Sequence, residues 1–443
     1  MRSDAVSGAP AWAPATPARQ RLRDWLDEQS GRLFIAPAVA VMLAFSIFPI
    51  GVSAWLAVSR FSLAAGGYDV TFVGVANFRK LVVGSQQYHL LGTQGATPAW
   101  GWAILAACAA LVAWRFARSV RWTAALLATS VCAVAAILLS PLGPFSAMAM
   151  SWIEATDWPW FVWLGGVALV GTATAACLSR VPATRVKTAG WCGRLLAATM
   201  FLVLSLLVAG TSTGQQGSLL TTVFYVVGGI AVQFALGLGL ALLCAQAIRG
   251  RDFFRVSFFL PLMVTPVGVA YTFRMLADMS IGPLAPVAHA LGLGALTWAQ
   301  HAWSARWVVL LSDAWQWTPF VFIVLLAAIE GQSREQVEAA QLDGASSWRI
   351  FKDITWPGIA PTAAAVVLIR LIEGFKIVDL PNVLTNGGPG IATESLTLHA
   401  FIDWRTLNLG GSAAVAYMLL FIVTVSAVSF FNFVVRPARG ARA

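Results

Sequence analysis

Three charged side chains stand close together inside an apolar stretch of the sequence, residues 361–380. Arg370, Glu373 and Lys376 follow one another at intervals of three residues. On a helix this spacing puts them on one broad face, where Glu373 can reach both cations. Charges inside a membrane span are costly and normally face a bundle interior or a water-filled cavity. This face is therefore predicted to point inward, where it either bonds to hydroxyl or anionic groups of a solute or forms a self-neutralising ion-pair set that closes a gate or packs helices.

The elements that carry these charges are predicted to be membrane-spanning helices. Apolar residues make up 58% of the 443 residues, and charged residues only 11%, whereas a soluble domain carries about a quarter charged residues. A spanning helix needs about 20 mostly apolar residues. The candidate stretches lie near 34–58, 99–114, 122–140, 160–178, 195–210, 219–247, 256–277, 306–329, 361–380 and 413–434. The fold class is thus predicted to be an all-α polytopic membrane protein with about ten transmembrane helices.

The positions of the basic residues give an independent test of this topology. If the N-terminus is cytoplasmic, most of the 29 basic residues fall in predicted cytoplasmic segments, and the predicted outer loops 141–159 and 211–218 hold none. This matches the excess of Lys and Arg on the cytoplasmic side of membrane proteins. Both termini, the tails 1–33 and 437–443, are therefore predicted to be cytoplasmic. The net charge of +10 belongs to these loop clusters, so no nucleic-acid partner is expected.

Several kinds of chemistry are not expected from this chain. The five cysteines form no CxxC pair and the four histidines match no zinc spacing. A phosphate-binding loop needs a Gly-Lys pair, and none of the four lysines follows a glycine. The glycine-rich run 387–390 lacks the lysine and is predicted to be a tight turn. No catalytic, metal or cofactor site is predicted, and no constellation in the spans supports a membrane-embedded enzyme.

A polar loop at 330–357 interrupts the apolar pattern. Ser333 and Gln336 have the spacing of a capping box that starts a short helix. Gly344 is placed to end this helix in the left-handed conformation. A second short helix is expected from about Ser346, stopped by Pro357 and Pro361. On physical grounds alone this could also be an ordinary amphipathic connector.

The loop sequence closely resembles the Glu-Ala-Ala…Gly…Ile-x-x-Pro signature of ABC importer permeases. The matching residues are Glu338, Ala339, Ala340, Asp343, Gly344, Ile354 and Pro357. The stretches 32–83 and 218–436 also resemble carbohydrate-type permeases of this family, including the larger membrane subunit of maltose transporters. The resemblance implies a type I (MetI-like) core formed by 218–436, with 34–83 as the first core helix and outer loop. Residues 84–217 depart from the family pattern and are predicted to be a four-helix insertion, either a peripheral lipid-facing bundle or a docking surface for a partner.

The resemblance also implies the machinery around the chain. In that family the loop docks on a separate ATPase, so Glu338, Ala339, Ala340, Asp343, Gly344 and Pro357 are expected to be the ATPase-coupling residues. The expected partners are two copies of an ABC ATPase subunit that bind ATP-Mg, a second homologous permease subunit, a periplasmic or lipid-anchored solute-binding protein, and membrane lipid. The chain is expected to be a multi-pass protein of the bacterial inner membrane.

The resemblance further implies where a solute passes. The segment 313–320 corresponds to a sugar-site segment of maltose transporters, which makes Gln316, Trp317 and Phe320 candidate substrate-binding residues. Their aromatic faces suit sugar rings and the amide suits hydroxyls, although the aromatics could also be interfacial anchors. Gln233 is a weaker candidate. Counting back from the turn at 385–389 adds Arg370 and Gly374 to the set with Glu373 and Lys376.

The expected substrate is a sugar, polyol or related small polar solute, and the sequence does not choose among disaccharides, monosaccharides, polyols and glycerol phosphates. The alternative is a secondary transporter driven by an ion gradient, with Glu373 as proton carrier. Its two cationic neighbours favour the ionised carboxylate, and this alternative leaves the coupling loop unexplained.

Overall fold

The computed structural model describes residues 34–64, 66–93, 99–117, 128–134, 136, 198–199, 201–209, 215–246, 250–279, 281–290, 292 and 297–431. The predicted span 160–178, most of 122–140 and both predicted tails lie outside these residues. The chain divides into two units, Met1–Trp55 and Leu56–Ala443.

Among the described residues, five helices are long and apolar enough to cross a membrane. They are α1 (Phe34–Ala57), α5 (Ser218–Cys244), α9 (Ala302–Glu330), α11 (Ser347–Gly374) and α14 (Leu409–Phe430). The helix α4 (Ala99–Ala117) also contains an apolar stretch, Ala99–Trp114, which is shorter than the five spans. The described parts of the chain therefore contain five spans by length and composition, or six if two helices joined at a sharp bend are counted as one span.

The bent pair corrects one predicted span. The stretch 256–277 folds as two helices, α6 (Arg251–Met263) and α7 (Pro266–Ala277), which meet at 99°. Pro266 lacks an N–H and suits the first turn of a helix. The Thr265 hydroxyl accepts a hydrogen bond from the Gly268 N–H at 3.2 Å, which caps the new helix.

The described part of the chain is helical except for one hairpin that the sequence analysis did not predict, since two strands follow α1. The strands β1 (Ser59–Ala64) and β2 (Gly67–Phe72) pair antiparallel, with Ser59 opposite Phe72 and Ala64 opposite Gly67. Gly66 adopts a φ of 98° at the turn. The hairpin base is fixed by Asn77, whose amide donates to the carbonyls of Ala57 and Ser59 at 2.9 Å each.

Short helices connect the longer ones. After the hairpin come α2 (Ala76–Val82) and α3 (Gln87–Leu91). The helix α8 (Ala285–Ala290) precedes α9, and α10 (Arg334–Leu342) lies in the polar loop. Beyond α11 lie α12 (Asp379–Thr385) and α13 (Leu396–Arg405).

The packed core is built on α5 and α9, with α11 against both. Gly237 allows a close approach of α5 and α9, because a Cβ there would lie 2.8 Å from the Val321 side chain and 3.0 Å from the Phe322 backbone nitrogen. Apolar side chains of the three helices fill the surrounding cluster, among them Phe322, Leu325 and Val366. Such close packing fixes how side chains of the three helices can meet.

The segment between α3 and α5 begins and ends at one point of the structure. Gly92 and Gly217 cross so closely that a Cβ on Gly217 would lie 2.4 Å from the Gly92 nitrogen. Gly92 forms an antiparallel bridge with Gln216, and the Thr93 N–H donates to the Gln215 carbonyl at 2.8 Å. Residues 94–214 therefore leave and rejoin the core at adjacent positions.

Candidate functional site

A buried polar network joins the three core helices. Arg370 on α11 donates from Nε to Gln233 Oε1 at 2.8 Å and from Nη2 to Asp313 Oδ2 at 2.9 Å. Gln233 on α5 donates its amide to the same Asp313 oxygen at 2.7 Å. All three side chains are buried, so the charge of Arg370 is balanced by a carboxylate and by hydrogen bonds, as a buried ion pair requires.

Gly229 and Trp317 complete the surroundings of this network. A Cβ on Gly229 would lie 3.2 Å from Asp313 Oδ2, so the glycine leaves room for the carboxylate. The Arg370 guanidinium lies over the Trp317 ring, 4.4 Å from its centroid, which is a favourable cation–π geometry. Phe320 meets Trp317 edge to face, with centroids 6.2 Å apart. The predicted pair Trp317 and Phe320 thus lies beside Arg370.

Gln316 lies elsewhere, at the break between α6 and α7. Its amide nitrogen is 3.3 Å from the Val264 carbonyl, and its Oε1 is buried without a hydrogen-bond partner among the described residues. Adjacent positions on a helix face different directions. The sequence analysis grouped Gln316 with Trp317 as candidate substrate-binding residues. In the structure Gln316 lies by Val264 and Trp317 lies by Arg370, so the two side chains have different surroundings.

The predicted charge set on α11 also divides. Glu373 pairs with Lys376 at 2.6 Å, and both side chains are partly exposed. Arg370 donates instead to Asp313 and Gln233, so of the two cations within reach by spacing, Glu373 bonds to Lys376. Gly374 is buried against α5, where a Cβ would lie 3.3 Å from Val226 Cγ2.

The end of α11 explains this division. The predicted helix 361–380 instead begins at Ser347 and ends at Gly374, so Lys376 lies beyond it. Pro357 and Pro361 do not stop the second loop helix, which continues into the span through a wide π turn at Phe351–Thr355. Pro357 occupies the first turn of the α-helical segment after it, where its missing N–H costs little.

Asp313 is the residue that sequence reasoning missed. It is the single carboxylate within the predicted span 306–329, and an acid inside a span calls for a cationic partner. A search for opposite charges between spans, rather than within one, would have paired it with Arg370.

The polar loop forms a short helix with a glycine stop. The helix α10 begins after Ser333, but the Ser333 side chain makes no capping hydrogen bond within the described part of the chain, so the predicted capping box is wrong. Gly344 has a φ of 74°. The Ala345 N–H donates to the Ala340 carbonyl at 2.9 Å and the Gly344 N–H to Gln341 at 3.0 Å, the bonds of a Schellman motif.

The loop presents several of its predicted coupling residues at the surface. Glu338, Ala339, Asp343, Gly344 and Pro357 are exposed, and Ala340 is half-buried. Two exposed apolar side chains flank the glycine stop, Leu342 at 90% and Trp348 at 70% exposure. Exposed apolar residues beside small ones are typical of a surface that a partner covers.

A groove separates α10 from the ends of the core helices. It has a volume of about 470 Å³ and is lined by residues that include Gln246, Glu330, Gln332 and Glu338. The Gln332 amide donates to the Thr355 carbonyl at 2.9 Å, and Arg255 forms an ion pair with Glu330. These bonds connect the start of the loop to the π turn of α11 and the end of α9 to α6.

At the opposite end of the core, residues 386–395 form the predicted tight turn, here called the outer turn. Asn386, Gly387 and Gly390 have positive φ angles, and the Gly388–Pro389 peptide is cis. Arg306 Nε donates to the Ala392 carbonyl at 2.6 Å, and the Tyr225 hydroxyl donates to the Thr393 carbonyl at 3.3 Å. The turn is thus held by α5 and α9.

The core spans thus carry a short helical loop, α10 and the start of α11, between α9 and the rest of α11. The model of the family of binding-protein-dependent transport system inner membrane components matches residues 200–439, over half of the chain. The chain belongs to this family, and with it to the membrane subunits of ABC transporters.

Two transport permeases and one solved transporter are similar to the chain. The trehalose/maltose transport system permease protein MalF of Thermococcus litoralis is 31% identical over 209 residues, covering 47% of this chain and 70% of that protein. The sn-glycerol-3-phosphate transport system permease protein UgpA of Agrobacterium fabrum is 28% identical over 221 residues, covering 49% and 74%. A solved bacterial ABC transporter involved in the import of the acidic polysaccharide alginate aligns with a TM-score of 0.46 and 21% identity, over 50% of this chain and 78% of that one.

Proposed function

We propose that the chain is the permease subunit of an ATP-driven importer that moves a sugar, polyol or related small polar solute by alternating access. The observation that carries this proposal is the foot formed by α10 and the start of α11, with its glycine stop at Gly344 and exposed Leu342. The relatives named for trehalose/maltose and for sn-glycerol-3-phosphate transport support the substrate class.

The foot is suited to passing on a push from an ATPase. Its second half is continuous with the span α11, because the helix runs from Ser347 to Gly374. Its first half is joined to α9 by the single short connection 331–333. A displacement of the foot therefore moves α9 and α11, which hold Asp313 and Arg370. In this proposal Glu338, Ala339, Ala340, Asp343, Gly344 and Pro357 couple the permease to the ATPase.

The solute pathway is proposed to include Gln316, Trp317, Phe320, Glu373, Gly374 and Lys376. Trp317 and Phe320 offer aromatic faces beside the core network, while Gln316 keeps an unpaired oxygen that can accept a hydroxyl donor. The sequence left two roles open for Arg370, and its pairing with Asp313 favours the ion-pair role. Arg370 then acts on the solute through the orientation of Trp317.

Membership of the family supports a proposal for the rest of the assembly. We propose two ATPase subunits that bind ATP-Mg, a second permease subunit, and a periplasmic or lipid-anchored binding protein that delivers the solute. The chain itself is proposed to bind no cofactor. It is proposed to have about ten spans, four of them inserted between the first core helix and α5, with both termini in the cytoplasm.

Replacement of Gly344 tests the coupling role. No heavy atom lies within 4 Å of a Cβ built on Gly344, and its φ is 74°. Within this chain, a substitution there therefore acts through the backbone and not through side-chain clashes. Asparagine tolerates the left-handed conformation, whereas a β-branched residue does not. We expect Gly344→Val to abolish uptake of labelled sugars and co-purification of the ATPase, while Gly344→Asn retains both.

Membrane insertion of the two variants should be the same, and measuring it separates lost coupling from lost folding. Equal uptake by the two variants would contradict the role of the glycine stop. Uptake that persists when ATP is depleted but an ion gradient is kept would overturn the ATP-driven mechanism itself.

A further inference from the structure

Four titratable side chains gather beside the outer turn, away from the core network. This outer cluster consists of His89 on α3, Glu394 in the turn, and His399 and Asp403 on α13. His89 Nδ1 lies 3.6 Å from Glu394 Oε2, and His399 Nδ1 lies 3.5 Å from Glu394 Oε1. His399 Nε2 lies 3.9 Å from Asp403 Oδ2.

The carboxylate of Glu394 is at the centre of the cluster and is buried, with 5% of its side chain exposed. A buried carboxylate needs a compensating charge or hydrogen bonds. Among the described residues, its charged neighbours within ion-pair distance are the two histidines. The compensation of Glu394 therefore depends on whether a histidine carries a proton.

His89 is the histidine that takes the proton. Its interaction with Glu394 raises the pKa of His89 above the ordinary 6.5, and this outweighs the lowering by partial burial. Burial lowers the pKa of His399, although Glu394 and Asp403 act in the opposite direction. The two imidazole rings are 5.4 Å apart, so a charge on His89 opposes a second proton on His399.

The neutral His399 has its own partner, since the Ser218 hydroxyl at the start of α5 lies 3.5 Å from His399 Nδ1. The remaining group, Asp403, is buried, and burial raises its pKa. His89 is the most exposed of the four, with 29% of its side chain accessible. Its ring therefore reaches the medium, with the Nδ1 atom that faces Glu394 buried, while the other three side chains stay covered.

His89 and Glu394 belong to segments that also pack through Leu90, Leu91 and Leu396 in one buried apolar cluster, so their ion pair adds to an existing contact. Glu394 follows Ala392 and Thr393, whose carbonyls are bound by α9 and α5. His89 lies three residues before Gly92, where the segment 94–214 leaves the core. We propose that His89 and Glu394 form a proton-dependent clasp that strengthens the contact of α3 with the outer turn in mildly acidic medium and weakens it in alkaline medium.

The direction follows from linkage. A histidine that is favoured in its charged form by the closed structure contributes its stabilisation fully below the ordinary histidine pKa of 6.5. That contribution is lost as the pH rises through the raised pKa. The closed clasp is thus stable at low pH, and its contribution to the contact between α3 and the turn is lost at high pH. The expected pH dependence of the clasp is the same whichever solute the protein carries.

Hydrogen exchange of backbone amides tests the clasp in the full-length protein held in lipid nanodiscs. Exchange in residues 87–93 and 387–396 is measured at about pH 5.5 and about pH 8.5, on either side of the ordinary histidine pKa, and is corrected for the intrinsic rate. We expect both segments to lose protection at the higher pH. No loss, or an equal loss throughout the outer loops, would overturn the proposal.

Three histidine variants locate the effect. His89→Gln should lack protection at both pH values, and His89→Arg, which keeps a permanent charge, should be protected at both. His301→Gln is the matched control, because His301 is an exposed histidine and its loss should leave the response intact. A pH response that survives in His89→Gln and His89→Arg, or that disappears in His399→Gln alone, would assign the proton to another group and contradict the clasp.

Discussion

At the residue scale, the effect of replacing Arg370 depends on which partner is left in the protein interior. Asp313 and Arg370 are 8% and 3% exposed and lie 2.9 Å apart. Removing one member of a buried pair leaves an uncompensated charge and costs about 3–5 kcal/mol, whereas removing both is far less harmful. The loss of stability on truncating a single member therefore measures the cost of the buried charge left behind, rather than the net contribution of the pair to stability.

A double-mutant cycle on this pair gives a direct prediction. We expect Arg370→Met to lower the free energy of unfolding by about 3–5 kcal/mol, and Arg370→Met combined with Asp313→Asn to recover most of the loss. The measurement is denaturant unfolding in detergent. Lys376→Met is the matched control, because Lys376 is 56% exposed in its pair with Glu373 and an exposed pair contributes at most about 1 kcal/mol. A double variant no more stable than Arg370→Met would refute the structural ion pair.

At the element scale, two glycines of α5 allow the effect of tight helix packing on stability to be measured apart from the effect of helix propensity. Gly237 and Gly239 are two residues apart. A Cβ on Gly237 meets Val321 at 2.8 Å, whereas nothing lies within 4 Å of one on Gly239. Alanine is about 1 kcal/mol better than glycine inside a helix, but an added carbon in a packed contact costs about 1–3 kcal/mol. The two substitutions should therefore act in opposite directions.

We expect Gly237→Ala to lower the thermal stability of the purified protein and Gly239→Ala to leave it unchanged or raise it. Because α5 and α9 hold Gln233 and Asp313, Gly237→Ala should also reduce uptake. Thermal unfolding of the two variants in one detergent is the measurement. Equal stability of the variants would show that α5 and α9 are not in close contact at Gly237.

The sequence predicted helices best where one local rule decides the structure. Spans 219–247 and 306–329 are close to α5 and α9 because hydropathy over a full span is a strong signal. The prediction that Gly344 ends the loop helix in the left-handed conformation was correct, because a left-handed φ favours glycine regardless of its neighbours. The break at Val264–Pro266 was missed because mean hydropathy carries no information on helix direction. The Arg370–Asp313 pair was missed because spacing within one helix reveals only neighbours three or four residues away.

At the scale of the whole molecule, the segment 94–214 can be treated as an insertion because its ends meet. Thr93 and Gln215 exchange hydrogen bonds of 2.8 and 2.7 Å beside the bridge between Gly92 and Gln216. Two antiparallel neighbours of this kind can be joined by a two-residue turn such as Asn-Gly. The core can therefore be closed without the segment, and an even number of removed spans preserves the orientation of everything that follows.

Replacing residues 94–214 by Asn-Gly should consequently yield a protein that inserts in the membrane with its coupling loop still cytoplasmic and still bound to the ATPase. Its stability should fall, because Leu207 packs with Leu90, Leu91 and Leu220 in one buried cluster, and loss of a large core side chain costs about 2–5 kcal/mol.

Deletion of 94–180 is the control, since it removes three predicted spans and should reverse the later loops. Accessibility of the coupling loop to a reagent confined to the cytoplasmic side distinguishes the two. A reversed loop in the longer deletion would mean that the segment crosses the membrane an odd number of times, and loss of ATPase binding with correct orientation would mean that the insertion takes part in coupling.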